Sequence, residues 1–168
     1  PFSHCQGLGS SHDSRHMDAP YFAYGSNMNL EQMAERCPGA RMLGLACKLG
    51  WGFIINQRGY VTALDTPSAE TLGCLWELTD EHWAELDRYE GVSADFYRRV
   101  NCEVLIPDSE EPVQAVAYRA TNETPGAPTS TYADVVIDGA RQIGLPADYL
   151  ATLEIWRNGP PNSLTTFT

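Results

Sequence analysis

The apolar positions of this chain change period several times, and each change marks an element. Pro20-Tyr21-Phe22-Ala23-Tyr24 is a short aromatic, β-prone run broken at Gly25-Ser26-Asn27. The spacing then turns helical, with Asn29 as N-cap, Gln32 at the reciprocal position, Leu30, Met33 and Ala34 as the inner face, and Cys37-Pro38-Gly39 as the stop. Between Ala40 and Thr79 the pattern predicts four short strands, over 42–49, 52–56, 60–64 and 71–78. Glycines, Gln57-Arg58-Gly59 and Asp65-Thr66-Pro67 separate them. A helix over 80–89 puts Trp83, Leu86 and Tyr89 on one side and stops at Gly91. A long strand over 96–106 aligns Phe96, Val100, Cys102, Val104 and Ile106 on one face and sends Tyr97 to the other. After an acidic turn (107–112) comes a strand over 113–120, then a linker over 124–128. Thr131 and Asp134 form a capping pair for a helix with Tyr132, Val135, Val136, Ala140 and Ile143 inward, ending at Gly144. Pro146 starts a last short helix that runs to about Trp156.

Six or seven short, glycine-bent strands with helices at their edges predict an α+β fold, a small mixed β-barrel or strongly curled sheet with about four flanking helices. One domain over 20–156 has the length and apolar content to bury its own core. Residues 1–19, rich in Gly, Ser and His, resemble an expression leader, and 157–168 read as a disordered tail.

Charge and histidine usage narrow the chemistry. A net charge of −11 opposes binding to nucleic-acid phosphates or anionic membranes, so the expected partners are small molecules or neutral surfaces. No apolar run approaches the roughly 20 residues a spanning helix needs, which points to a soluble, cytoplasmic protein, monomeric or homodimeric. The five cysteines form neither an even framework nor a C-x-x-C pair and read as reduced. His82 is the one histidine outside the leader, so neither a histidine relay nor a zinc site is well supplied. No metal and no cofactor are expected, and proton transfers fall to carboxylates, tyrosines and backbone amides.

Among the carboxylates, Glu90 stands out. It closes the 80–89 helix, where unsatisfied carbonyls concentrate partial negative charge and push a carboxyl's pKa upward, as suits a general base. The alternative is a side chain tipped into water at a frayed helix end, and position alone favours it. Tyr24-Gly25-Ser26-Asn27 leaves a strand and enters a helix, so its amides are placed to meet an anion, although one glycine is also an ordinary strand-to-helix turn.

The combination is more specific than its parts. Tyr21-Phe22-Ala23-Tyr24-Gly25-Ser26-Asn27, then Leu86-Asp87-Arg88-Tyr89-Glu90-Gly91-Val92, then Phe96-Tyr97 resemble the gamma-glutamylcyclotransferase family in this order and separation. The later Thr131-Tyr132 and Gly144-Leu145-Pro146 segments, with Tyr149, fit the same family, so the resemblance spans the domain. It implies a cavity at the mouth of a mixed barrel and cleavage of a γ-glutamyl amide to 5-oxoproline and a free amine by the substrate's own α-amine. It assigns Glu90 as the acid/base, Tyr24, Gly25, Ser26 and Asn27 as the loop that holds the glutamyl head, and Tyr97 and Tyr132 as pocket hydroxyls. Arg58, Arg98 and Arg99 are candidates for a second carboxylate, with at most one of Arg98 and Arg99 able to face the cavity and a solvated surface role favoured for each. Two other classes compete. One is a non-catalytic binding module on the same fold; the other is a cysteine hydrolase using Cys37 or Cys47, disfavoured by the lack of histidine. The γ-glutamyl acceptor is not legible in the residues.

Overall fold

The computed structural model describes residues 19–161; the leader's first 18 residues and the end of the tail lie outside them. Five strands form one mixed sheet in the order β2-β3-β1-β5-β4: β1 (Tyr21–Ala23), β2 (Arg41–Ile55), β3 (Val61–Glu77), β4 (Tyr97–Val104) and β5 (Val113–Ala120). Four helices flank it: α1 (Leu30–Arg36), α2 (Asp80–Tyr89), α3 (Ser130–Gln142) and α4 (Ala147–Ile155). The α+β class and the helix count stand. The strand count does not, because the four short strands between Ala40 and Thr79 are two long antiparallel ones.

The merging has a local cause. The β2–β3 register skips from Leu49↔Glu70 to Trp51↔Asp65, a bulge that leaves Thr66 to Ala69 without ladder partners. Pro67, which has no amide hydrogen to donate, sits inside that unpaired stretch. The chain bends there instead of turning back. A second shift between Met42 and Gly44 bends β2 again. The two sheet edges meet at one antiparallel bridge, where Cys47 and Leu105 exchange two backbone hydrogen bonds of 2.8 Å each. The result is a strongly curled sheet whose ladder is not continuously closed.

Short β1 lies at the centre, antiparallel to β3 (Phe22↔Leu75) and parallel to β5 (Tyr21↔Val116). Phe22, Ala23, Cys74, Ala117 and Leu86 are essentially without solvent exposure, so β1 delivers the following 24–27 loop from the middle of the core. Several inner-face assignments fail. Of the α1 trio only Met33 is buried, Leu30 being 39% exposed. Tyr89 and Phe96 are also exposed, each lying under an arginine rather than in the core. Thr129, not Thr131, caps α3 by accepting from Tyr132 N at 3.2 Å. Asn29 caps α1 as expected, accepting from Gln32 N at 3.0 Å, but the Gln32 side chain turns to Ser26 and Asn27 instead of closing the box.

His82 is fully employed in the fold. It completes a capping box with Thr79 through Nδ1, and its Nε2 lies 2.7 Å from the Pro38 carbonyl. Past α4, Trp156–Asn158 form a 3-10 turn, and Arg157 bridges Asp134 and Glu154. Among the described residues no helix is long and apolar enough to cross a membrane.

Candidate active site

Glu90 is held in place by the end of α2. Its amide donates to Leu86 O at 2.8 Å, and the fully buried Leu86 anchors that last turn in the core. Gly91 follows in the left-handed region at φ 65°, which reverses the chain at little cost for a residue without Cβ. Its carbonyl accepts from Phe96 N, and a Cβ at position 91 would lie 2.6 Å from the Phe96 ring. The cap therefore turns the Glu90 carboxylate inward, toward the loop after β1. Frayed exposure to water is not what the structure shows. Burial pushes the Glu90 carboxyl up to about 7, offset in part by the Arg36 charge and a hydrogen bond from Asn27.

Asn27 organises the other side. It is 2% exposed and uses all of its side-chain capacity. Nδ2 donates to the Tyr21 hydroxyl at 3.0 Å and, at 3.4 Å, to Glu90 Oε1. Oδ1 accepts from Gln32 Nε2 at 3.0 Å and Arg36 Nη1 at 3.1 Å. Two donors fixed on the oxygen leave only the amide nitrogen to face Glu90, so the network sets the orientation. The Asn27 backbone carbonyl accepts from the Trp76 indole at 3.1 Å. Sequence reading placed Asn27 in the ligand loop but found neither its contact with Glu90 nor the parts played by Tyr21, Gln32 and Arg36.

These groups line a cavity of about 210 Å³. Every residue singled out from the motifs, Tyr24, Gly25, Ser26, Asn27, Glu90, Tyr97 and Tyr132, lies on its wall. The tyrosine hydroxyls are tied to backbone. Tyr24 donates to Tyr118 O at 2.5 Å and Tyr97 to Val61 O at 2.6 Å, while the Tyr132 oxygen accepts from Val61 N at 3.1 Å. Tyr97 and Tyr132 thus hold the backbone of a single β3 residue, Val61, through its carbonyl and its amide. Burial raises all three phenols well above their usual range, so at neutral pH they are hydrogen-bonding groups and not bases.

Of the three candidate arginines, only Arg58 lines this cavity. Arg98 pairs with Asp95 on the surface, and Arg99 makes a two-pronged pair with Asp87 at 2.8 and 2.6 Å. The cysteine route loses support as well. Burial pushes the Cys37 and Cys47 thiols up to about 11, away from the thiolate a nucleophile needs, and the His82 ring is occupied elsewhere. Among the described residues no group of three or more His, Cys, Asp or Glu is placed to hold a metal ion.

Comparison with known proteins bears on the family and the fold. The AIG2-like family pattern matches residues 70–153. The chain is 30% identical over 139 residues to a bovine gamma-glutamylcyclotransferase, covering 77% of this chain and 73% of that protein. The mouse gamma-glutamylcyclotransferase is 30% identical over 144 residues, covering 80% and 76%. A solved structure of a gamma-glutamyl cyclotransferase superposes with a TM-score of 0.77 at 25% identity, over 86% of this chain and 89% of that one. With motifs, fold and relatives in agreement over most of its length, the chain belongs to the gamma-glutamylcyclotransferase family.

Proposed function

We propose that this chain is a gamma-glutamylcyclotransferase-type enzyme, cofactor-independent, that converts a γ-glutamyl amide to 5-oxoproline and a free amine with Glu90 as general acid/base. The observation that carries this reading is a carboxyl poised at about 7, held by Asn27 on the wall of a small cavity. A cavity of about 210 Å³ is smaller than the roughly 300 Å³ at which drug-sized pockets begin, and suits an amino-acid-sized ligand.

The reaction asks little covalent chemistry of the protein. Glu90 takes a proton from the substrate α-ammonium, and the freed amine attacks the γ-carbonyl of the same molecule. The tetrahedral intermediate collapses as the C–N bond to the leaving amine breaks and Glu90 gives its proton to that nitrogen. The ring nitrogen, cationic after the attack, passes its second proton by way of the regenerated carboxylate to the released amine, so a neutral lactam and an ammonium leave. Nucleophile and carbonyl are already tethered, and well-oriented intramolecular reactions reach effective molarities of ~10⁵ M or more. What remains is to fold the glutamyl chain, carry protons from the attacking to the leaving nitrogen, and stabilise an oxyanion. The Gly25 to Asn27 backbone faces the cavity as a source of amide donors for that oxyanion or for the α-carboxylate. The four described cysteines are unpaired, in keeping with a reducing, cytoplasmic setting.

The test is production of 5-oxoproline, read by mass spectrometry, from γ-glutamyl-alanine and γ-glutamyl-ε-lysine by the wild type and Glu90→Gln. Loss of general acid/base catalysis lowers the rate by roughly 10²–10⁴-fold. Near-normal turnover by Glu90→Gln overturns the assignment of the base. Ligand retention without turnover by the wild type points instead to a binding module.

A further inference from the structure

We infer that Arg58 is the specificity-determining residue of this site and selects γ-glutamyl substrates whose leaving amine carries a carboxylate. The inference rests on the γ-glutamyl reading above. Nine arginines lie among the described residues. Seven of them, at 41, 88, 98, 99, 119, 141 and 157, form ion pairs with Asp or Glu. The two with no such pair among the described residues, Arg36 and Arg58, are the two that line the cavity. With Glu90 they are its only charged lining residues among those described. In a chain of net charge −11, two cations kept from the many available carboxylates and set on one cavity wall imply an anionic ligand.

The two cations differ in what they have left to offer. Arg36 already donates to Asn27 Oδ1 and lies 4.4 Å from the Tyr89 ring centre. Among the described residues the Arg58 guanidinium has no hydrogen-bond or ion-pair partner and lies over aromatic faces, 3.6 Å from the centre of Phe96 and 5.5 Å from that of Tyr60. Stacking leaves its planar fork of N–H donors available to a carboxylate.

Both supports of Arg58 are rigid. The side chain of Asn56, without solvent exposure, donates to Asn122 O at 3.0 Å. Its Oδ1 accepts from the amides of Arg58 at 3.0 Å and Tyr60 at 3.3 Å, which fixes the turn between β2 and β3. Phe96 packs on Gly91, the residue after Glu90. One helix cap thus positions both the base and the platform under Arg58. A γ-glutamyl amino acid carries one ammonium and two carboxylates, which complements one carboxylate and two guanidinium groups. A simple γ-glutamyl amine lacks the second carboxylate.

The experiment compares kcat/KM for γ-glutamyl-alanine and γ-glutamyl-alaninamide, equal in shape but differing in that charge, in the wild type, Arg58→Gln and Arg58→Lys, with thermal unfolding as a check on the fold. The wild type is expected to prefer the free acid by roughly 10- to 100-fold, the range for hydrogen bonds to a charged group. Arg58→Gln brings the ratio toward one, and Arg58→Lys, with charge but no fork, lies between. Equal use of both substrates by the wild type overturns the inference, as does an equal loss on both in Arg58→Gln. If the wild type makes 5-oxoproline from neither compound but does so from a γ-glutamyl amine without a carboxylate, this inference falls while the cyclotransferase reading stands. No 5-oxoproline from any γ-glutamyl compound, γ-glutamyl-ε-lysine included, overturns both.

Discussion

At the scale of single residues, Glu90 meets two opposing influences. Burial favours its neutral form, and Arg36 and Asn27 favour its ionised form. A base must be ionised to act, so kcat/KM should rise with pH along a limb centred near 7. Arg36→Met removes a group that lowers this pKa, and the limb should move to higher pH. A pH–rate profile checks this, and a limb that stays put or moves down contradicts it. The same burial makes a stability prediction. The folded pKa of about 7 lies above the ordinary 4.5, so between those values the native state holds a proton that the unfolded chain has released. Stability then falls as pH rises through that window, by up to about 3 kcal/mol for this group. Glu90→Gln lacks this loss, so its unfolding midpoint should gain on the wild type between pH 4.5 and 7 and stay ahead above it. A constant difference across that range contradicts the burial. Glu90 was legible because its signal is local, a carboxylate beside a C-capping glycine within a recognisable motif. The Asn27–Glu90 contact was not, since it joins residues 63 apart, and no local pattern shows where the end of α2 meets the loop after β1.

At the scale of elements, the helices were read well where one side chain decides the boundary and poorly where neighbours compete. Asn29, Gly91 and Gly144 mark ends as expected. Thr129 and Thr131 both offer a capping hydroxyl; Thr129 is the one used, and the linker before it is anchored just past the end of β2 by the Asn56↔Pro125 bridge, a distant contact that no local pattern shows. Helix faces failed for a similar reason: α1 is only two turns long, and its apolar positions cannot all find cover. The docking of α3 is set by a residue that looks like a flaw in the sequence. Gly139 lies mid-helix, where alanine ordinarily stabilises by roughly 0.5–1 kcal/mol. Here a Cβ would lie 2.5 Å from Asn29 N and 2.8 Å from Met28 C, against the backbone that carries the site loop. Gly139→Ala should therefore destabilise, by about 1–3 kcal/mol as for other overpacked contacts. It should also reduce turnover by displacing Asn27. Chemical denaturation decides the sign, and a stabilised variant would mean that the helix moves freely over that loop.

At the scale of the whole molecule, curvature is what brings the motifs together. Of the breaks expected between Ala40 and Thr79, Gln57-Arg58-Gly59 is a true turn between β2 and β3, whereas those near Gly50 and Pro67 are bends inside a strand, because a glycine or proline looks the same in sequence whether the chain reverses or bulges. The decisive fact, that Leu49 and Trp51 pair with Glu70 and Asp65, lies in the register between distant segments. Curling brings β2 round toward β4, yet Cys47 and Leu105 supply the one bridge at that seam. A continuous barrel would unfold the seam together with its centre. An isolated bridge between two otherwise unpaired edges should open on its own, since two hydrogen bonds contribute only about 1–3 kcal/mol in all. Native-state hydrogen exchange should therefore find the Cys47 and Leu105 amides at least tenfold less protected than those of the central β1–β3 ladder. Equal protection would mean that the sheet behaves as a closed barrel in solution. The expected outcome leaves the molecule with a stable centre, which holds Tyr21, Asn27 and Glu90 in register, and a seam that can open without disturbing them.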